Sequence, residues 1–225
     1  VHDRLGSFLE KFPQQTTQTS DWQPVCARQS EALLAPSQVN FVGKAFSLYA
    51  AGYQYHGSIN VITALMRTMY LWEKVRVQGG AYGAFCGFDR LNGAFWFGSY
   101  RDPNLLKTLN VFDRTADWLA NITIDKQELS RSIIGTIGEL DSYMLPDMQG
   151  YVSLQRHLIG ITDEMRSQTR AEFFATGLEH LRSTAQAFAS LPQSPLIKAL
   201  AGPDAVAAAR TCGSEDFLSP VTVLD

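Results

Sequence analysis

The sequence has no long apolar run, no basic cluster and no even set of cysteines, and each absence removes a class of function. No stretch approaches the roughly 20 apolar residues that a membrane-spanning helix needs, so no membrane partner is expected. Lysine and arginine together number 19 against 22 acidic residues, for a formal net charge of −3. They form no stripe or patch of the kind a nucleic-acid surface requires, so no nucleic-acid partner is expected. The cysteines are three, Cys26, Cys86 and Cys212, with no two at ligand-like spacing. They read as free thiols of a reducing compartment rather than as a disulfide framework or a metal site. The opening VHDRLGSFLEKFP lacks the basic segment and apolar stretch of a secretory signal and is not read as one.

Catalytic signatures are missing too. A zinc peptidase needs two histidines and a carboxylate on one helical face, because zinc takes neutral imidazoles and a nearby Glu activates water. Around His2, His56, His157 and His180 there is neither HExxH nor the inverted HxxEH. The nearest approach is Glu179–His180, and the position that would have to be histidine is Thr176. There is no G-x-S-x-G elbow, and Cys86 falls in an expected strand, where a thiol is ordinarily buried and inert. VQGGAYG is glycine-rich but lacks the lysine and spacing of a P-loop.

What is present is ordinary globular material, with 45% hydrophobic and 18% charged residues over 225 positions, enough for a substantial core. Leu5, Phe8, Leu9 and Phe12 sit at helical spacing, and the polar PQQTTQTSDWQP after them reads as a linker. Residues 29–49 are rich in β-branched and aromatic residues and predict strands. From Ser58 a helix is expected, with Ile62, Leu65, Met66, Met69 and Trp72 on a core-facing stripe and a Gly79–Gly80 breaker at its end. AYGAFCGFD and GAFWFGSYR predict a hairpin. Helices are then expected from an Asp102–Pro103 start, from Asp125, from Asp147 and from a Thr169–Glu172 capping box, with LIKALA as a last strand and PDAVAAAR as a last helix. Hairpin-joined strands followed by helices imply an α+β fold, a two-layer sandwich with a mainly antiparallel sheet covered on one face by helices. Residues 1–28 read as a helix and linker left from a preceding region, and 29–225 as the domain proper.

One constellation could carry chemistry. Arg76 ends a helix, Gly79 and Gly80 turn the chain, and Tyr82 opens a strand. An arginine at a helix C-terminus is ordinarily a solvated cation and a strand tyrosine ordinarily packs. Brought to one point, the same two side chains are donors that could hold a peptide carbonyl and stabilise an oxyanion formed on it.

Three segments carry a resemblance: EALLAPSQVNFVGKA, LWEKVRVQGGAYGAFCGFDRLNGAFWFGSYRDPNLLKTL and IIGTIGELDSYMLPDMQGYVSLQRHLIGITDEMR. Over roughly residues 29–212 the chain resembles the C-terminal region of the presequence proteases, zinc peptidases of the pitrilysin type. SYRDPNLLKTL and DSYMLPD favour that branch over the insulysins. The resemblance implies two homologous halves closing around a chamber, with zinc bound in the N-terminal half and none in this chain. It implies that Arg76 and Tyr82 reach across to the scissile bond as catalytic residues. It implies unstructured peptide substrates such as cleaved targeting peptides, the N-terminal catalytic half as partner, and the mitochondrial matrix or plastid stroma as setting. This chain alone is then expected to be inactive. The alternative from the same superfamily is a non-catalytic structural or peptide-binding module, which would have no need to keep Arg76 and Tyr82.

Overall fold

The aromatic and β-branched runs become strands of one six-stranded sheet, in a computed structural model that describes residues 2–13, 23, 29–191, 194–212 and 218–222. Cys26 and most of the expected linker lie outside the described residues. In chain order the elements are α1 (His2–Leu9), β1 (Glu31–Leu34), β2 (Asn40–Ser47), α2 (Ser58–Leu65), a π-helix (Met66–Val77), β3 (Gly83–Phe88) and β4 (Ala94–Asp102). Then come α3 (Leu106–Asp113), α4 (Thr115–Asn121), α5 (Lys126–Leu140), α6 (Pro146–Leu158), α7 (Asp163–Phe174), α8 (Leu178–Ala189), β5 (Leu196–Ala201), α9 (Pro203–Cys212) and β6 (Ser219–Thr222). The strand order is β3-β4-β2-β5-β1-β6. The β3/β4, β4/β2 and β2/β5 pairs are antiparallel, whereas β1 runs parallel to both β5 and β6. The α+β expectation holds, and β6 is a strand the sequence did not announce.

Alternation along the strands decides which face is covered. Val42 on β2, Cys86 on β3, Phe95 and Phe97 on β4 and Ile197 on β5 are buried under the helices. Phe97 stacks on Phe112 of α3 at 4.9 Å, and Phe95 meets Phe188 of α8 edge-on at 4.8 Å. These ring pairs fasten two helices to the sheet, each pair worth about 0.5–1.5 kcal/mol beyond its buried area. On the other face Phe85, Trp96 and Tyr100 are exposed. The Trp96 ring lies over Gly87, where a Cβ would come within 2.6 Å of it.

Helix α2 is largely buried, with Ile59, Val61, Ile62 and Leu65 fully covered between the sheet and the outer helices. Its N-terminus is capped from outside: the Gly57 N–H donates to Glu172 of α7 at 2.6 Å. This replaces the expected Ser58 cap, and Ser58 is the first helical residue instead. The expected capping box at Thr169–Glu172 is also replaced. Thr162 caps α7, accepting the Met165 N–H, while Thr169 sits inside that helix and bonds back to the Met165 carbonyl. Asp125 caps α5 as the sequence suggests, accepting the Glu128 N–H at 2.8 Å.

Candidate functional site

Beyond Leu65 the helix changes period. Over Met66–Val77 the chain is a π-helix, and even the cap follows i→i+5 spacing, with the Gln78 N–H donating to the Glu73 carbonyl at 2.9 Å. The buried residues are then Met66, Tyr70, Leu71 and Val75, steps of four and one rather than three and four. The α-helical stripe expected to end at Trp72 therefore fails there. The wider turn rotates Trp72 out, and it is 50% exposed. Its ring lies flat under the Arg76 guanidinium, 3.9 Å from centroid to Cζ. A cation over an indole face is attracted by the ring quadrupole, and the stack holds a long, flexible side chain in place.

The turn after the helix is sterically specified. Gly80 has φ 80° and its N–H donates to the Arg76 carbonyl at 2.9 Å, while the Ala81 N–H reaches the Val75 carbonyl at 3.1 Å. A Cβ on Gly79 would stand 2.4 Å from the Val75 carbonyl oxygen, so only glycine fits. The Gly79 carbonyl accepts from the Asn104 side chain at 2.6 Å. Asn104 is itself tied to Asp102, which is fully buried and accepts from the Asn104 N–H at 2.8 Å and the Thr108 hydroxyl at 2.6 Å. The sequence expects Asp102 to start a helix. It instead ends β4 and braces this turn, and the helix starts at Leu106 and breaks at Arg114.

From that turn Tyr82 leads into β3. Its N–H is shared by the Tyr100 and Arg101 carbonyls at 3.1 and 3.3 Å, and its ring meets Tyr100 edge-on at 5.8 Å. The ring is 69% exposed, so the hydroxyl faces solvent rather than the core. Arg76 and Tyr82 line one open groove of about 600 Å³, together with Trp72, Val77, Gly80, Ala81 and Arg101. Two arginines and no carboxylate border it. The groove is a donor-rich, positive cradle suited to an acceptor oxygen carrying partial or full negative charge. The sequence reading missed Trp72 and Arg101 as members. Trp72 stands four residues before Arg76, a signal at hand, whereas nothing along the chain marked Arg101.

Burial pushes the Cys86 thiol up to about 12, so it stays protonated and inert at neutral pH. Cys212 is exposed, and both are free thiols. His56 and His180 stack at 4.5 Å, with Nδ1 of His56 bonded to the Ser58 hydroxyl at 2.8 Å and Nδ1 of His180 accepting the Gly177 N–H at 3.1 Å. The family resemblance implies zinc in the N-terminal half and none in this chain. Among the described residues no group of three or more His, Cys, Asp or Glu side chains could hold a metal ion. Also among them, no helix is long and apolar enough to cross a membrane.

A family model described as the PreP C-terminal domain matches residues 30–193. Presequence protease 1, chloroplastic/mitochondrial, of Arabidopsis thaliana is 42% identical over 218 residues, covering 96% of this chain and 20% of that protein. The mitochondrial presequence protease of Xenopus tropicalis is 30% identical over 168 residues, covering 74% of this chain and 16% of that protein. The chain thus spans at most about a fifth of these curated relatives. The crystal structure of an M16 peptidase inactive domain from Pseudomonas fluorescens superposes with a TM-score of 0.60 at 16% identity, covering 90% of this chain and 51% of that one, a likeness of fold.

Proposed function

The chain belongs to the PreP C-terminal domain family, and on that premise we propose that it closes the chamber of a presequence-degrading zinc endopeptidase and lends it Arg76 and Tyr82. The observation that carries the reading is the shared groove. Two donors from different elements open onto one solvent-facing space, with the turn between them fixed by Gly79, Gly80 and Asn104. A structural arginine and tyrosine would not need that space.

In this reading a peptide bound in the closed enzyme presents its scissile carbonyl to the groove. The Arg76 guanidinium and the Tyr82 hydroxyl donate to the oxygen, and the bond strengthens as that oxygen becomes an oxyanion. Trp72 keeps the guanidinium aimed, so little reorganisation accompanies the reaction. Closure excludes water from a groove that is open in the isolated chain and raises the value of both donors. The substrates are unstructured peptides such as cleaved targeting peptides, because a chamber that must close rejects folded proteins. In this proposal the metal belongs to the N-terminal catalytic half, the partner of this chain. The names of relatives, chloroplastic/mitochondrial and mitochondrial, support an organellar setting, which the proposal takes as the mitochondrial matrix or plastid stroma. The proposal takes residues 1–28 as the end of a preceding region and 29–225 as the domain, a boundary supported by a family match that starts at residue 30.

The test is Tyr82→Phe in the full-length protease carrying this sequence. Loss of one oxyanion donor is expected to lower kcat about 10²–10³-fold with little change in KM. A kcat equal to wild type would remove Tyr82 from the mechanism.

A further inference from the structure

Strand β4 holds one residue more than β2 at the end beside the groove: Asn40 pairs with Asp102, but Val42 pairs with Ser99. The extra residue is accommodated at Arg101, whose φ is 48°; among the described residues it is the only non-glycine with positive φ. A left-handed bulge position is ordinarily glycine, because a Cβ there crowds the neighbouring carbonyl. The bulge itself is held from both sides. The Tyr82 N–H reaches the Tyr100 and Arg101 carbonyls, the Asn40 side chain donates to the Asp102 carbonyl at 2.9 Å, and the Asp102 carboxylate is buried in its own bonds. Glycine would serve this backbone better. What glycine cannot supply is the side chain of Arg101, a residue that lines the groove of Arg76 and Tyr82 and whose guanidinium lies 5.8 Å from the Tyr100 ring. A residue kept in a costly conformation beside a site is a pointer to function there.

We infer that Arg101 is a specificity-determining residue whose guanidinium binds a carboxylate of the peptide lying in the Arg76–Tyr82 groove, an inference that rests on the function proposed above. The planar fork of an arginine matches the two oxygens of a carboxylate, and no acidic side chain among the groove's lining residues competes for it. The carboxylate has two sources, the peptide's free C-terminus or an acidic side chain.

The experiment uses the full-length protease and three peptides of one sequence: a free-acid form with neutral side chains, its C-terminal amide, and the amide with one glutamate introduced. Arg101→Gly removes the guanidinium while supplying the residue that the bulge prefers, so its unfolding midpoint should equal or exceed wild type. The expected result is a fall of about tenfold in kcat/KM for one carboxylate-bearing peptide relative to the neutral amide, expressed mainly in KM. The peptide that responds names the source. Arg101→Lys keeps the charge without the fork and should recover part of the loss. An equal effect on all three peptides, or none, overturns the inference. Tyr82→Phe measured in parallel separates the two proposals. A uniform kcat loss there with a silent Arg101→Gly sinks this inference alone. A silent Tyr82→Phe with a carboxylate-selective Arg101→Gly sinks the oxyanion role alone.

Discussion

The π-helix and hairpin bury one apolar face under the helical layer and expose the other, whereas α5 to α7 carry almost as many apolar side chains and leave most of them in solvent. In the first region Met66, Leu71, Phe95 and Phe97 are buried. In the second, Thr136 is the buried residue of α5 and Phe173 that of α7, and α6 has none. Met148, Tyr151, Leu154 and Leu158 follow one another at steps of three and four along α6, a clean amphipathic stripe, and all four are exposed. Both regions belong to segments that carry the family likeness. Hydrophobic periodicity thus reports that a face needs cover, and says nothing of whether this chain supplies it.

The sharpest way to break that comparison is a pair of truncations. Phe95→Ala should lower the unfolding free energy by about 3–5 kcal/mol, the usual cost of emptying a ring from a packed core. Leu154→Ala should stay within about 0.5 kcal/mol of wild type. Urea denaturation of both variants checks this, and equal losses would mean that α6 is part of the cooperative core. Next in size is Gly79→Ala, expected to cost about 1–3 kcal/mol because the new Cβ meets backbone rather than a movable side chain. A midpoint unchanged from wild type would show that the turn has slack, and with it the placement of Arg76 against Tyr82. The smallest effect on stability comes from Leu154→Lys combined with Leu158→Lys. The uncovered stripe is expected to make the isolated chain self-associate, and sedimentation of the double variant should show less of it, with a Tm within a degree or two of wild type. Unchanged association would locate the sticky surface elsewhere, the exposed sheet face with Phe85 and Trp96 being the next candidate.

Most of the elements were legible along the chain because their signals are local. Aromatic alternation gives the hairpin and Asp125 caps α5, whereas Asp147, expected as the cap of α6, lies inside its first turn, with Leu145 at the cap and Pro146 opening the helix. The pairing of Arg76 with Tyr82 was legible as a possibility, since a glycine pair between a helix and a strand brings their ends together. Local patterns failed where the partner lies far along the chain. The N-terminal residue of α2 looks like its own cap, yet the capping carboxylate comes from Glu172, 115 positions after Gly57. Asp102 has the form of a helix cap and serves as a brace, because Asn40 of β2 meets its carbonyl and the Asn104 it holds reaches back to the Gly79 carbonyl.

By itself the sequence determined the α+β class, the hairpin, the glycine turn and the residue types that meet beside it, because composition and spacing act within a few residues. The tertiary structure alone decided the wide π-helical turn that puts Trp72 under Arg76, the extra residue in β4 that leaves Arg101 left-handed, and the choice of which apolar faces are covered. Each of these depends on backbone bonds and packing between elements, where energies too small to read from a local pattern are summed over many contacts.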